Sequence, residues 1–188
     1  MRKPILLLIA ASAPLALAAC GSGKTVTATN ESVSGVAKKV AESGMKFNPG
    51  RWESTKKFVK LEMEGMPPEA QAMMSKVMGK DRTFASCLSK ADAEKPEAKF
   101  FGQADARCKY DSFAMGDGKI DAKMSCKSPQ GVQAMTMAGT YTADSYQMTM
   151  SINGKGDEGK GMSMTMAMTA KHNGECTGKE EGTSGAPG

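Results

Sequence analysis

Tryptophan and histidine each occur once in this 188-residue chain, as Trp52 and His172, and aromatic residues make up only 5% of it. One imidazole cannot build a histidine-based zinc site, and no two cysteines form a Cys-x-x-Cys pair, so zinc binding and dithiol redox chemistry lack their usual ligands. Charge of one sign is also scarce. The 25 Lys and Arg against 20 Asp and Glu leave a formal +5, dispersed along the chain, which excludes nucleic acid as the expected partner. The longest apolar stretch lies at the N-terminus and is too short to span a bilayer as a helix. What the chain has in quantity is methionine, 17 residues, and glycine, 21. With 40% apolar residues it can fill one modest core, built mainly from thioethers and small aliphatic side chains, so one domain with extensions is expected.

The first residues read as a processing signal. Arg2 and Lys3 form a basic start, residues 5–17 an apolar stretch bounded and interrupted by Pro4 and Pro14, and Ala18-Ala19 a small-residue cleavage site. Leu17-Ala18-Ala19-Cys20 resembles a bacterial lipobox, in which the cysteine becomes the acylated first residue of the mature chain. The resemblance implies a signal peptide over 1–19, an acyl anchor on Cys20 and, because Gly21 rather than Asp follows, residence on the periplasmic face of the outer membrane of a Gram-negative envelope. Residues 20–46, rich in Gly, Ser, Thr and Lys, are expected to be a flexible linker, with nascent helix near 31–42 where Val33, Val36, Ala37 and Val40 recur at helical spacing. Gly23-Lys24-Thr25 echoes the end of a phosphate-binding loop, but Ala18 stands where the first glycine is required and no strand precedes it.

A folded body is expected over 47–178 and a disordered tail over 179–188. Residues 51–63, with Trp52, Phe58, Val59 and Leu61, read as a first strand after the Pro49-Gly50 turn. Prolines 67 and 68 open a helix carrying Ala70, Met73, Met74, Val77 and Met78 on one face, and Gly79 stops it. A shorter helical turn follows Ser89, where Ser89-Lys90-Ala91-Asp92 has the capping pattern. From Ala106 the period changes to two. Cys108 and Tyr110 alternate with charged residues. After the Gly116-Asp117-Gly118 hairpin turn, Ile120, Ala122, Met124 and Cys126 share one face, and Met135, Met137 and Tyr141 follow on a third strand. Tyr146, Met148, Met150 and Ile152, then Met162, Met164, Met166 and Met168, alternate with Ser, Thr, Gln and Ala. This is the pattern of an antiparallel meander, mainly β, forming a curved sheet or barrel-like body covered by one α-helix, with a loop over 153–161. Cys87, Cys108, Cys126 and Cys176 predict two disulfides in an exported chain; of the three pairings, Cys87 with Cys108 and Cys126 with Cys176 is favoured.

Phe47-Asn48-Pro49-Gly50-Arg51-Trp52-Glu53, Cys87-Leu88, the spaced Cys108 and Cys126 and the closing Gly174-Glu175-Cys176 together resemble domain-of-unknown-function family 3617, small exported proteins of Gram-negative bacteria. The resemblance covers about residues 46–178. It implies a mostly β, disulfide-bonded periplasmic domain and supplies no activity, ligand or catalytic residue.

Catalysis is not expected. His172 lies in a polar stretch and reads as a surface residue, and no nucleophile signature stands near it. The acidic pairs Glu62/Glu64, Asp157/Glu158 and Glu180/Glu181 read as solvated charges, and Trp52 as a core anchor. No cofactor is implied. The methionines Met135, Met137, Met148, Met150, Met162, Met164, Met166 and Met168 are the distinguishing feature. They read first as core beneath the proline-initiated helix, or as the lining of a cavity for a hydrophobic small molecule around Met148, Met150, Met164 and Met166. A soft-metal site for an ion such as Cu(I) ranks last. Residues i and i+2 on a strand stand about 6.6 Å apart, so neighbouring sulfurs would have to bend towards one point. The expected function is that of a non-catalytic, membrane-anchored binding module for a hydrophobic ligand; the alternative is an envelope-associated structural or interaction protein whose methionines are core only, with an unidentified envelope partner.

Overall fold

The computed structural model describes residues 25–94, 106–129, 131–155 and 160–180, and the backbone of 182–183. Nine strands make one sheet: β1 (Val26–Ser32), β2 (Gly50–Met63), β3 (Arg82–Leu88), β4 (Cys108–Gly116), β5 (Lys119–Ser128), β6 (Gly131–Tyr141), β7 (Ser145–Lys155), β8 (Gly161–His172) and the two-residue β9 (Gly182–Thr183). Among the described residues three helices accompany them, α1 (Val33–Glu42), α2 (Pro68–Met78) and α3 (Lys90–Glu94). The strand order is β1-β4-β5-β6-β7-β8-β2-β3-β9, antiparallel throughout except for β9, which runs parallel to β3. No pairing among the described residues joins β1 to β3 or β9, so the mainly β body is an open sheet.

The meander from β4 to β8 follows directly from the period-two alternation, which leaves each strand one apolar face. Asp117 and Gly118 both adopt positive φ (48° and 72°) in the β4–β5 hairpin, a conformation that needs Asn, Asp or Gly. Ser89 caps α3 as its sequence predicts, accepting from Asp92 N at 3.1 Å. Strand β3 pairs with β2 over Gly50↔Leu88 to Lys56↔Arg82 and extends the sheet beyond the meander.

The helix that covers the sheet is α1. Ser32 caps it by accepting from Gly35 N at 3.0 Å, and Lys39 Nζ stands 3.0 Å from Glu31 Oε2, holding that carboxyl below its ordinary range. Val33, Val36, Ala37 and Val40 are buried, Val36 completely, and three of these valines join Val26, Ala28, Tyr110, Phe113, Met115, Ile120 and Ala122 in one cluster. Each such valine contributes about 1.5–3 kcal/mol by leaving water. The linker expected over 20–46 is therefore corrected over 26–42: β1 pairs with β4 from Val26↔Met115 to Ser32↔Lys109, and that pairing delivers the weak helical pattern onto an apolar sheet face. Helix α2 forms where its prolines predict but buries none of its residues; Met73 and Val77 are 70% and 67% exposed. It joins the ends of the neighbouring strands β2 and β3, and its substantial contacts are with β2 alone, so it does not roof the methionines.

The disulfides are Cys87–Cys176 and Cys108–Cys126, which corrects the sequential pairing. Across the β4–β5 hairpin a bulge leaves Asp111 with no register partner on β5, and the register beyond it sets Cys108 directly opposite Cys126. The tail expected to be disordered over 179–188 is ordered at Glu180, whose carboxylate accepts from Thr177 N (2.7 Å), Thr177 Oγ1 (2.9 Å) and Gly178 N (2.9 Å), and β9 pairs with β3 at Ser86 and Cys87.

Candidate functional site

All eight candidate methionines share the sheet face on which α1 packs, and all eight are half-buried. The register arranges them in rows across the strands. One row runs Ala122–Met137–Met150–Met166–Phe58, from β5 to β2. On one side of it lies Met124–Met135–Ile152–Met164–Leu61, and on the other Ile120–Gly139–Met148–Met168–Lys56. Met162 stands between Gly154 and Met63. The opposite face carries Thr136, Thr149, Ser151, Thr165 and their polar neighbours, so the sheet is two-sided in chemistry.

The rows divide into a covered and an uncovered part. Met124, Met137 and Met148 pack against the cluster beneath α1. Met135, Met150, Met162, Met164, Met166 and Met168 belong to neither buried cluster. One depression, of about 440 Å³, lies between Glu62, Met63, Gln71, Gly154 and Met162, so of these six methionines Met162 lines it; another, of about 370 Å³, lies around Tyr141, Tyr146 and Ala170. The face around Met150, Met164 and Met166 is apolar, and α2, expected to cover the methionines as core, stays on β2. Leu61 joins that face although alternation from Phe58 would leave it outside; a bulge at Val59 shifts the strand by one residue, and nothing in the local pattern announces it.

A second constellation explains the Phe47–Glu53 segment. Trp52 is buried, donates from Nε1 to the Asn48 carbonyl at 2.9 Å, and stands edge-on to Phe47 at 5.8 Å and stacked on Tyr146 at 6.2 Å. It is a core anchor. His172 is drawn in beside it, 5.7 Å ring to ring, because β8 pairs His172 with Trp52. The expectation of a surface histidine is corrected accordingly: its side chain is 20% exposed, with Nε2 3.0 Å from the Pro49 carbonyl and Nδ1 3.6 Å from Asp144 Oδ1. Asn48 Nδ2 donates to the same Asp144 oxygen at 2.6 Å. Gly50, at φ 133°, lies so close to Gly174 O and His172 Nε2 that any β-carbon would collide with both. Burial raises the Tyr146 and Tyr110 hydroxyls above their ordinary value, and Tyr146 donates to Met168 Sδ at 3.4 Å. Every polar group here already holds a structural partner, and the cluster ties the β2, β8 and β6–β7 turn ends together.

The carboxylates do not converge. Glu62 pairs with Lys60 at 2.9 Å, Glu64 accepts from Gly161 N at 2.9 Å, and Glu180 is held by the 177–178 backbone well below the carboxylate range, at about 2. Among the described residues no group of three or more His, Cys, Asp or Glu side chains is placed to hold a metal ion. None of the helices among them is long and apolar enough to cross a membrane. Cys20, Asp157, Glu158 and Glu181 lie outside the described residues.

No curated protein and no solved structure matches the chain. A family model described as a protein of unknown function (DUF3617) matches residues 47–176, from Phe47 beside Trp52 to Cys176 of the Cys87–Cys176 disulfide, and leaves β1 and α1 outside. The match takes in well over half of the chain, all of the β2-to-β8 sheet and both disulfides, and on that basis the chain belongs to the DUF3617 family.

Proposed function

We propose that this protein is a lipid-anchored, non-catalytic binding protein of the periplasmic face of the outer membrane, which holds a hydrophobic ligand against the methionine-lined half of its sheet. The observation that carries the reading is the row system around Met150, Met164 and Met166: contiguous apolar side chains on neighbouring strands, half-exposed, with no element among the described residues over them. Thioether side chains repack easily around varied shapes, which suits an acyl chain or a similar flexible apolar molecule. Attachment through Cys20 rests on the Leu17-Ala18-Ala19-Cys20 segment and leaves only residues 21–25 before β1, so the sheet is held close to the bilayer. A second reading, an envelope-associated interaction protein, is favoured by Met73 and Val77 exposed on α2.

Native mass spectrometry before and after unfolding tests the main reading. A lipid-sized mass that leaves on unfolding, and that Met150→Asp prevents from binding, is the expected result. A bare mass together with no binding of added fatty acid overturns it and leaves the interaction reading. Incorporation of labelled fatty acid into the wild type and its loss in Cys20→Ser test the anchor.

A further inference from the structure

We propose that Met137, Met150 and Met166 form a thioether site for a soft monovalent cation of the Cu(I) or Ag(I) type. Spacing along a strand keeps alternate sulfurs about 6.6 Å apart at their origins. The pairing register removes that obstacle, since Met137 is directly opposite Met150 and Met150 directly opposite Met166. Directly opposed residues on one face have β-carbons about 4.5–5.5 Å apart, and a methionine side chain has three rotors beyond the backbone, so three sulfurs from three strands can meet above Met150.

This row is singular among the three. In the row through Met135, Ile152 separates that methionine from Met164. In the row through Met148, Gly139 stands on one side, and the sulfur of Met168 accepts the Tyr146 hydroxyl. Only Met137, Met150 and Met166 are three consecutive thioethers, flanked by Ala122 and Phe58, which compete for no metal. Neutral thioethers with no carboxylate or imidazole in the row select a soft ion over Zn²⁺, Mg²⁺ or Ca²⁺. The nearest cationic side chain in the adjacent row, Lys56, has its Nζ over the Phe84 ring at 5.1 Å. Because Cys87, Cys108, Cys126 and Cys176 are all in disulfides, thioethers are the only soft donors the described residues offer. Met150 and Met166 lie on the uncovered part of the face and Met137 borders the cluster beneath α1, so an ion reaches the row from the Met150–Met166 side.

The site uses sulfur lone pairs where the hydrophobic-ligand reading uses apolar area, and leucine separates the two. The chain carrying Cys20→Ala, with disulfides intact, is titrated with Ag(I), which needs no reductant that would open them; native mass spectrometry counts the ions and methionine methyl resonances locate them. One Ag(I) per chain is expected, with shifts at Met137, Met150 and Met166. M137L/M150L/M166L is expected to weaken Ag(I) binding by about tenfold or more, because leucine keeps volume and apolarity but carries no sulfur lone pair. Should the triple variant not fold, M150L alone is expected to give a smaller loss in the same direction, and M66L/M73L/M78L near α2 none. No Ag(I) bound, undiminished binding in the leucine variants, or shifts only at α2 methionines overturns the site. Ag(I) binding without any fatty-acid binding removes the proposed function and leaves the metal site standing.

Discussion

The two longer helices differ in composition in one direction and in burial in the other. α2 carries Met73, Met74, Val77 and Met78 after two prolines, whereas α1 is a run of valines and lysines with a glycine near its start. Yet α1 buries four residues and α2 none. The difference lies in what precedes each helix. α1 follows an edge strand whose seven residues are zipped to β4, so its first turn is already above an apolar surface. α2 bridges the ends of two adjacent strands and is tied to β2 by Gln71 Nε2 donating to the Met63 carbonyl at 3.3 Å. An amphipathic pattern supplies a face, and the connection decides whether anything meets it.

Val36→Asp puts a charge at a position with no exposure and is expected to have the largest effect, a loss of roughly 4 kcal/mol or more that abolishes cooperative urea unfolding. A melt close to wild type would mean that α1 is not part of the core. The disulfides divide along the same line, Cys108–Cys126 beside the α1 cluster and Cys87–Cys176 tying β3, next after α2, to the segment following β8. Their separations of 18 and 89 residues predict losses of about 3 and about 4–5 kcal/mol for paired Cys→Ser variants, if unfolded-chain entropy governs. The reverse order in denaturant melts would show that β3 is dispensable to the fold.

A smaller effect is expected from pH. Glu180 titrates at about 2 in the folded chain against 4.5 ordinarily, so its stabilisation is complete above about 4.5 and is lost as pH falls towards 2. Glu180→Gln is expected to flatten that part of the acid unfolding curve; an unchanged curve would refute the 177–180 turn. The raised tyrosines act at the other end, where stability present below pH 10 is lost above it. Least of all, Val77→Asp on α2 is expected to stay within about 0.5 kcal/mol of wild type. A larger loss would place α2 over the sheet in solution and close the face on which both proposals depend.

Much of this was legible without coordinates. Alternation from Cys108 to Met168 assigned faces to β4–β8, the prolines placed α2, and Ser89 placed α3, because each is a local rule acting over a few residues. β1 and β3 escape the local pattern: Val26-Thr27-Ala28-Thr29 alternates over only four residues within a Gly-, Ser-, Thr- and Lys-rich stretch, Arg82 and Thr83 open β3 with no apolar residue, and β4 and β2 supply the partners that hold both extended. The cysteine pairing was nearly within reach: the hairpin centred on Asp117 brings Cys108 close to Cys126, and only the Asp111 bulge makes them face each other.

Strand polarity, the turn chemistry and the existence of a thioether face were determined by the sequence alone, since they depend on the side-chain period and on residues that tolerate positive φ. Which methionines are neighbours, which helix covers them and which cysteines bond were decided by register and connection. Those are pairings between segments tens of residues apart, where a single bulge at Val59 or Asp111 exchanges one face for the other and no local pattern carries the information.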